Sequence, residues 1–406
     1  MSYFADLSIL RRNTNYAFLF TGQFVSFFGS MITSVALPYQ IYMVTHSILM
    51  VGLLSLVQLI PLIFTALIGG VFADRYHRRK LLLIAEFSMG LGSLMLALNA
   101  SLETPNVWLI FVTAAFMSAF NGLHRPALES IVQQIVPRVD FPAVSALSSF
   151  KYSLGMIVGP AVGGLLVAHT GLIVTYIVDM ATFVISLGAL LMMSHIPKPE
   201  VEVDEPVMAS LLNGLRYALS RQELVGTYVV DFVAMIFGMP NALFPAIAQS
   251  YGGAKALGML YSAPAVGALA VSLLSGWSGR IKRHGAAIAV SAVIWGIAII
   301  AFGLSGNFWL ALFFLAIAGA ADAVSGIFRG IMWNETIPNK LRGRMAGIEM
   351  ISYLSGPKLG DTEASMVAAA FGITFSIVSG GVMCVAGVAV CCVFLPKFWR
   401  YHSEHS

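Results

Sequence analysis

The sequence contains few charged residues and few cysteines, and each shortage excludes a class of protein. Charged side chains make up 10% of the 406 residues and hydrophobic side chains 58%, and the mean hydropathy is +0.85. So little polar surface cannot cover a water-soluble globule, so we predict an integral membrane protein. The three cysteines lie in the last apolar run, where they indicate small packing residues rather than a disulfide framework or a metal site.

The motifs of several membrane enzymes are also missing. The sequence has no Gly-x4-Gly-Lys-Ser/Thr, no His-Glu-x2-His and no soluble segment large enough to house an active site. These absences argue against ATP-driven transport and membrane proteolysis. We expect no catalysis, no cofactor, no metal and no nucleic-acid partner. Two other functional classes are kept as alternatives for this membrane protein. The first is a membrane enzyme, and the second is a receptor that no longer transports.

Long apolar runs predict the fold. A membrane-spanning helix needs roughly 20 apolar residues, and runs of this length predict helices 1 to 6 near 16–43, 49–73, 81–100, 107–134, 142–168 and 171–194. Helices 7 to 12 follow near 223–249, 255–278, 285–304, 307–336, 345–370 and 372–395. We predict an all-α membrane protein with six-helix bundles over 1–195 and 223–406, joined by a cytoplasmic linker, 196–222, with a short amphipathic helix over 208–219.

Basic residues predict the orientation. Of 23 lysines and arginines, eighteen fall on the side of the predicted termini, four lie inside predicted spans, and only Lys255 falls on the other side. Loops that stay in the cytoplasm are enriched in lysine and arginine. The sequence therefore predicts that both termini are cytoplasmic in a multi-pass protein of the bacterial inner membrane.

A charged turn separates predicted helices 2 and 3. It reads Gly-Gly-Val-Phe-Ala-Asp-Arg-Tyr-His-Arg-Arg-Lys over 69–80, which predicts a tight cytoplasmic hairpin. The spacing resembles the loop signature of the major facilitator superfamily, with its residues at Gly70, Asp74, Arg75, Arg78 and Arg79. Segment 276–283 repeats part of the glycine and arginine pattern of 70–79. Segment 338–344 similarly repeats the proline and arginine of 137–138. The resemblance implies two related bundles, a substrate site between them, and a cytoplasmic gate at Asp74.

Helix 5 carries a second pattern of small residues, formed by Gly155, Gly159, Pro160, Gly163 and Gly164. It resembles the motif of proton-coupled antiporters in the superfamily, which implies export. The alternative is ordinary close packing, because small residues let membrane helices approach each other.

Four cations fall inside predicted spans, at Arg125, Lys151, Arg329 and Lys358. Each costs about 2.5 kcal/mol or more at the bilayer centre, so each needs a partner, water or a ligand. The resemblance places their helices around the central cavity, where they would bind an anionic substrate together with Gln23 of helix 1. The alternative is neutralisation on the same helix face by Glu129, Asp322 or Asp361.

Intramembrane acids are the candidates for proton coupling. Asp231 has no cation on its own helix and is the first choice, followed by Asp322, Asp361 and Glu363. A carboxyl inside the bilayer can bind and release a proton as access alternates. Asp179 is expected to be a hydrogen-bond partner in packing.

The stretch 35–47, the charged turn, 155–164 and 338–344 resemble the enterobactin-exporter branch of the superfamily, although Lys358 and Asp361 depart from its pattern. We therefore predict a monomeric, proton-coupled exporter of a small anionic molecule such as a siderophore, working by alternating access. The expected partners are this substrate, the proton and the lipid bilayer. The alternative is a multidrug efflux pump for amphipathic compounds.

Overall fold

The computed structural model describes residues 8–194, 215–338 and 342–403, with side chains outside 70–71, 73–75, 342–344, 346–348 and 350–351. These residues are mostly helical and contain no strand. Most of the predicted linker helix over 208–219 lies outside the described residues. The helices are α1 Ser8–Arg12, α2 Thr14–Thr45, α3 Ile48–Arg75, α4 Arg78–Ala100, α5 Val107–Ile135, α6 Phe141–Met192, α7 Gln222–Phe237, α8 Phe244–Gln249, α9 Ala254–Leu273, α10 His284–Leu304, α11 Phe308–Thr336, α12 Arg342–Phe371, α13 Ile373–Phe394 and α14 Pro396–Trp399.

Ten helical segments of the described chain are long and apolar enough to cross a membrane. Arg138–Met192 counts as one of them, although its helical backbone is interrupted at Gly171, which has a φ of 81°. Glycine has no Cβ and adopts this φ without strain. The sequence places the boundary between predicted helices 5 and 6 at the same position. The charge-bearing α12 is not among the ten.

Predicted helix 7 is not continuous. The α7 helix ends at Phe237, and a 3-10 turn over Asn241–Leu243 leads into α8. Pro240 lacks a backbone N–H, so it removes one helical hydrogen bond and favours a kink or a break at this position. Side chains satisfy backbone groups at the break, because Trp295 donates to the Gly238 carbonyl at 2.9 Å and the Ala242 N–H donates to Asp361 at 2.9 Å. Such compensation is what the interior of a bilayer requires.

The chain forms two compact units. The first consists of Met1–His46, Val57–Glu202 and Ala248–Met259, and in it α2 packs along α6 while α4 packs on α5 and α6. The second consists of Ser47–Leu56, Val203–Ile247 and Leu260–Ser406, and in it α10 packs on α11 and α13 while α7 packs on α12 and α13.

Helices α5 and α11, which the sequence predicts to be equivalent in the two bundles, begin in the same way. Asn106 accepts hydrogen bonds from the backbone N–H groups of Trp108 and Leu109, and Asn307 accepts them from Trp309 and Leu310. Asparagine caps a helix by satisfying such free donors. The repeated cap supports the internal duplication that the sequence predicts.

Candidate substrate pocket and buried charge clusters

A cavity of about 410 Å³ lies inside the second unit. Helices α7, α11 and α12 supply its wall, and the lining residues are Tyr228, Asp231, Gly326, Arg329, Gly330, Trp333, Asn334, Ile337, Met345, Glu349, Ser352 and Tyr353. Its size is suited to a small organic molecule.

Arg329 is the buried cation of this cavity. Its guanidinium forms an ion pair with Asp231 of α7, and its Nη2 lies 3.4 Å from Oδ1 of Asp322, two turns earlier on α11. The side chains of Arg329 and Asp231 are 12% and 15% exposed. The same-face pairing with Asp322 agrees with the spacing in the sequence. The cation beside Asp231 comes from another helix, so the sequence of α7 alone could not show it.

Aromatic rings form the adjoining wall of the cavity. Tyr228 and Trp333 stack with ring centroids 5.4 Å apart and an interplanar angle of 25°. The indole N–H of Trp333 donates to the Thr227 hydroxyl at 2.9 Å, which fixes the ring. The hydroxyl of Tyr228 is buried and has no hydrogen-bond partner within the described residues. An aromatic face with an unused hydroxyl can take up an aromatic ligand that bears polar groups.

The predicted site residues Lys358, Asp361 and Glu363 lie on α12, in a second charged cluster of the second unit. One Asp361 oxygen accepts a hydrogen bond from the Ser55 hydroxyl at 2.8 Å, and the other accepts the Ala242 N–H. Lys358 interacts electrostatically with Asp361, as the i+3 spacing predicts. Glu363 lies two residues further along and is partly buried. Asp361 therefore helps to hold α12 to the start of α3 and to the break after α7.

A polar cluster is buried in the first unit. Glu86 of α4 is fully buried, and its Oε1 lies 2.9 Å from Nε2 of His124 on α5. Gln23 donates to the same oxygen at 2.6 Å and also contacts the Ser186 hydroxyl. The substrate contact predicted for Gln23 stays a prediction, because its amide is bound to Glu86 in this structure.

Asp179 lies in the same unit. It accepts hydroxyl hydrogen bonds from Thr33 at 2.6 Å and Ser93 at 2.7 Å, as expected of a packing partner. Sequence reasoning missed both Glu86 and His124. The available signal was an acid and a histidine inside apolar runs.

The two predicted cations of the first unit differ in their surroundings. The Nζ of Lys151 lies 5.7 Å from the ring centroid of Phe27, within the range of a cation–π contact. The Nε of Arg125 lies 3.4 Å from Glu129 one turn later, and these side chains are 47% and 63% exposed. Arg125 therefore forms a surface ion pair with the partner that its spacing predicts.

The arginines of the charged turn bind the ends of neighbouring helices. Arg78 donates to the Ser130 carbonyl at 3.1 Å, near the end of α5. Arg79 donates to the carbonyls of Leu190 and Leu191 at 2.8 and 2.7 Å, at the end of α6. Cations at a helix C-terminus satisfy free carbonyls and complement the helix dipole. The side chains of Gly70, Asp74 and Arg75 lie outside the described residues.

The small residues of predicted helix 5, which forms the first part of α6, make close packing contacts. A Cβ on Gly163 would lie 3.0 Å from the carbonyl oxygen of Ile32, so α6 and α2 meet backbone to backbone. Gly155 and Gly159 face the side chains of Phe27 and Met31 on α2, and Gly164 faces the backbone at the start of α9. These contacts give the pattern a structural role, whatever its role in transport.

A family model described as transmembrane secretion effector matches residues 4–405. The chain belongs to this family. The enterobactin exporter EntS of Shigella flexneri is 30% identical over 360 residues, which cover 88% of this chain and 86% of that protein. EntS of Escherichia coli O1:K1 gives the same values.

Solved transporters share the fold of this secretion effector. A POT family transporter in complex with 5-aminolevulinic acid has a TM-score of 0.76 at 13% identity, over 95% of this chain and 97% of that one. A D-xylose-proton symporter has a TM-score of 0.70 at 16% identity, over 96% and 98%. The resemblance to the major facilitator superfamily and its enterobactin-exporter branch is confirmed, and the protein is a multi-pass membrane transporter.

Proposed function

We propose that this secretion effector exports a small anionic organic molecule, with a catecholate or carboxylate siderophore as the leading class. It works by proton antiport and alternating access in the bacterial inner membrane. It acts as a monomer with twelve spanning helices and two six-helix bundles, over 1–195 and 223–406. Both termini are cytoplasmic, and no catalytic step is involved. The relatives named as enterobactin exporters support the substrate class.

The observation that carries this proposal is a buried guanidinium beside aromatic rings. Arg329 lines the same cavity as the stacked pair Tyr228 and Trp333. A planar guanidinium binds carboxylate or paired catechol oxygens with two parallel hydrogen bonds. The aromatic wall can stack on the ring that bears them. Lys151, Lys358, Arg125 and Gln23 are proposed as further substrate contacts.

The proposed proton-coupling groups are Asp231, Asp322, Asp361 and Glu363. Asp74 is proposed as the cytoplasmic gate, with Gly70, Arg75, Arg78 and Arg79, and the string from Gly155 to Gly164 as the antiporter motif. A coupling group must change its interactions when it binds a proton. Asp231 satisfies this condition, because a proton on its carboxylate would break the ion pair with Arg329.

Multidrug efflux is the second candidate, and the acids of the cavity favour it. Asp231 and Glu349 both line the wall beside the aromatic residues. Two carboxylates and an aromatic face also suit a lipophilic cation. The two candidates differ in the ligand charge that the cavity prefers.

Calorimetric titration of the purified protein separates these candidates. The probes are a tricatecholate, its neutral fully methylated analogue and a lipophilic phosphonium cation. Siderophore export predicts that the tricatecholate binds most tightly. Trp333→Leu should weaken this binding about 2- to 12-fold through loss of stacking, whereas Trp309→Leu, at a side chain that is 70% exposed, should not. A preference for the phosphonium cation would contradict the anionic substrate and support multidrug efflux.

A further inference from the structure

A carboxyl and an imidazole meet inside the first unit, and neither residue lines the cavity of the second unit. The Glu86 side chain is 0% exposed and the His124 side chain 15% exposed. They belong to different helices, α4 and α5. A fully buried acid in an apolar helix costs free energy unless its hydrogen bonds are complete. Acids that are retained at such positions mark functional sites.

The hydrogen bonds of Glu86 are uneven. Its Oε1 accepts from Gln23 at 2.6 Å and Ser26 at 3.3 Å, and it also contacts His124. Its Oε2 is buried and has no hydrogen-bond partner within the described residues. If the carboxylate were permanently ionised, Oε2 would carry negative charge without a hydrogen-bond donor, and this is unfavourable in a buried site. A proton on Oε2 removes that charge and leaves every bond to Oε1 in place.

The charged surroundings permit both states of Glu86. Helix α2 contributes only the neutral groups of Gln23 and Ser26, and α5 contributes His124. From α6, Lys151 and Asp179 are close enough to interact with the charge of Glu86. The ionised carboxylate can be balanced by Lys151 or by a protonated imidazole, and Asp179 opposes it. One added proton can reside on either member of the Glu86 and His124 pair, because Oε1 and Nε2 lie 2.9 Å apart.

The direction of coupling argues for a proton site outside the cavity of the second unit. An anion that binds Arg329 must displace Asp231, and the freed carboxylate would then take up a proton. Proton and substrate would bind together, whereas antiport requires that binding one releases the other. Asp231 therefore remains a proton-coupling group of the cavity, and antiport needs a second group whose proton leaves when the substrate binds.

We propose that Glu86 and His124 form the binding site of the transported proton, with Gln23 and Ser26 positioning the carboxyl. The proton binds at Oε2 of Glu86 or on the imidazole, and His124, the more exposed member, exchanges it with water. Its coupling to export rests on the proposed antiport function, whereas the protonation itself does not.

Infrared titration of the purified protein in nanodiscs tests the site without substrate. The wild type should show a protonated-carboxyl band that disappears as the pH rises. Glu86→Gln should remove this component, and Glu103→Gln, at an exposed acid in the loop after α4, should not. His124→Gln should move the midpoint of the band, because the imidazole no longer shares the proton. A spectrum for Glu86→Gln with the full wild-type band would overturn the proposal. If Glu86→Gln fails to fold, His124→Gln decides the test instead. A midpoint in His124→Gln equal to that of the wild type would then overturn the proposal.

Proton release on substrate binding tests the coupling. In weakly buffered solution with a pH indicator, the tricatecholate should release more protons on binding the wild type than on binding Glu86→Gln, because protons lost from the catechol hydroxyls are common to both proteins. Equal release from both would overturn the proton site while leaving antiport intact. Proton uptake by the wild type, absent in Glu86→Gln, would keep the site and contradict antiport.

Discussion

Replacing Arg329 with glutamine should destabilise the protein strongly. The change leaves Asp231, which is 15% exposed, without its cation. Removing one partner of a buried ion pair costs about 3–5 kcal/mol, because the remaining charge is left unpaired. The matched control is Arg12→Gln, in a pair with Asp140 at 3.2 Å whose arginine is 58% exposed. Exposed pairs contribute about 0–1 kcal/mol.

Unfolding in mixed micelles of SDS, followed by circular dichroism, measures this difference in unfolding free energy. The double variant Arg329→Gln with Asp231→Asn should recover most of the loss, because it removes both charges. Asp322, the more exposed of the two carboxyls, remains solvated. Equal effects of Arg329→Gln and Arg12→Gln, or no recovery in the double variant, would refute the buried ion pair.

Three further predictions concern transport and packing. Lys151→Ala and Lys358→Ala should each weaken binding of an anionic substrate by about 1–3 kcal/mol in calorimetry, and equal losses for substrates of every charge would contradict their role. Gly163→Ala should cost about 1–3 kcal/mol in unfolding free energy, because its Cβ would press on the backbone of α2. Gly188→Ala, with open space around the new methyl group, should not, so equal costs would argue against the close contact. Asp74→Asn should abolish export while insertion into the membrane stays normal, and wild-type export by this variant would remove the gate.

Much of the fold follows from local features of the sequence. Apolar runs predict the long helices, and Gly171 marks the boundary between predicted helices 5 and 6 because its φ requires glycine. The pairing of Arg329 with Asp322 and of Arg125 with Glu129 follows from helical spacing. These features depend on one helix at a time, so the sequence contains them directly.

The remaining features depend on which helices meet. Asp231 of α7 pairs with Arg329 of α11, and Glu86 of α4 contacts His124 of α5. Neither partner lies at a helical spacing that a single sequence shows. The break in predicted helix 7 was also missed, because Met239 and Pro240 lie within an apolar run whose hydropathy predicts one span. The structure shows how Trp295 and Asp361 satisfy the backbone groups there.

Transport by the reconstituted protein tests the proton-driven export of an anion most directly. The protein is placed in proteoliposomes with an imposed pH gradient, and accumulation of an iron-free tricatecholate is followed over time. The account predicts accumulation against the substrate gradient, its collapse when a protonophore is added, and its loss in Glu86→Gln. Accumulation that neither the pH gradient nor the protonophore changes would contradict the account.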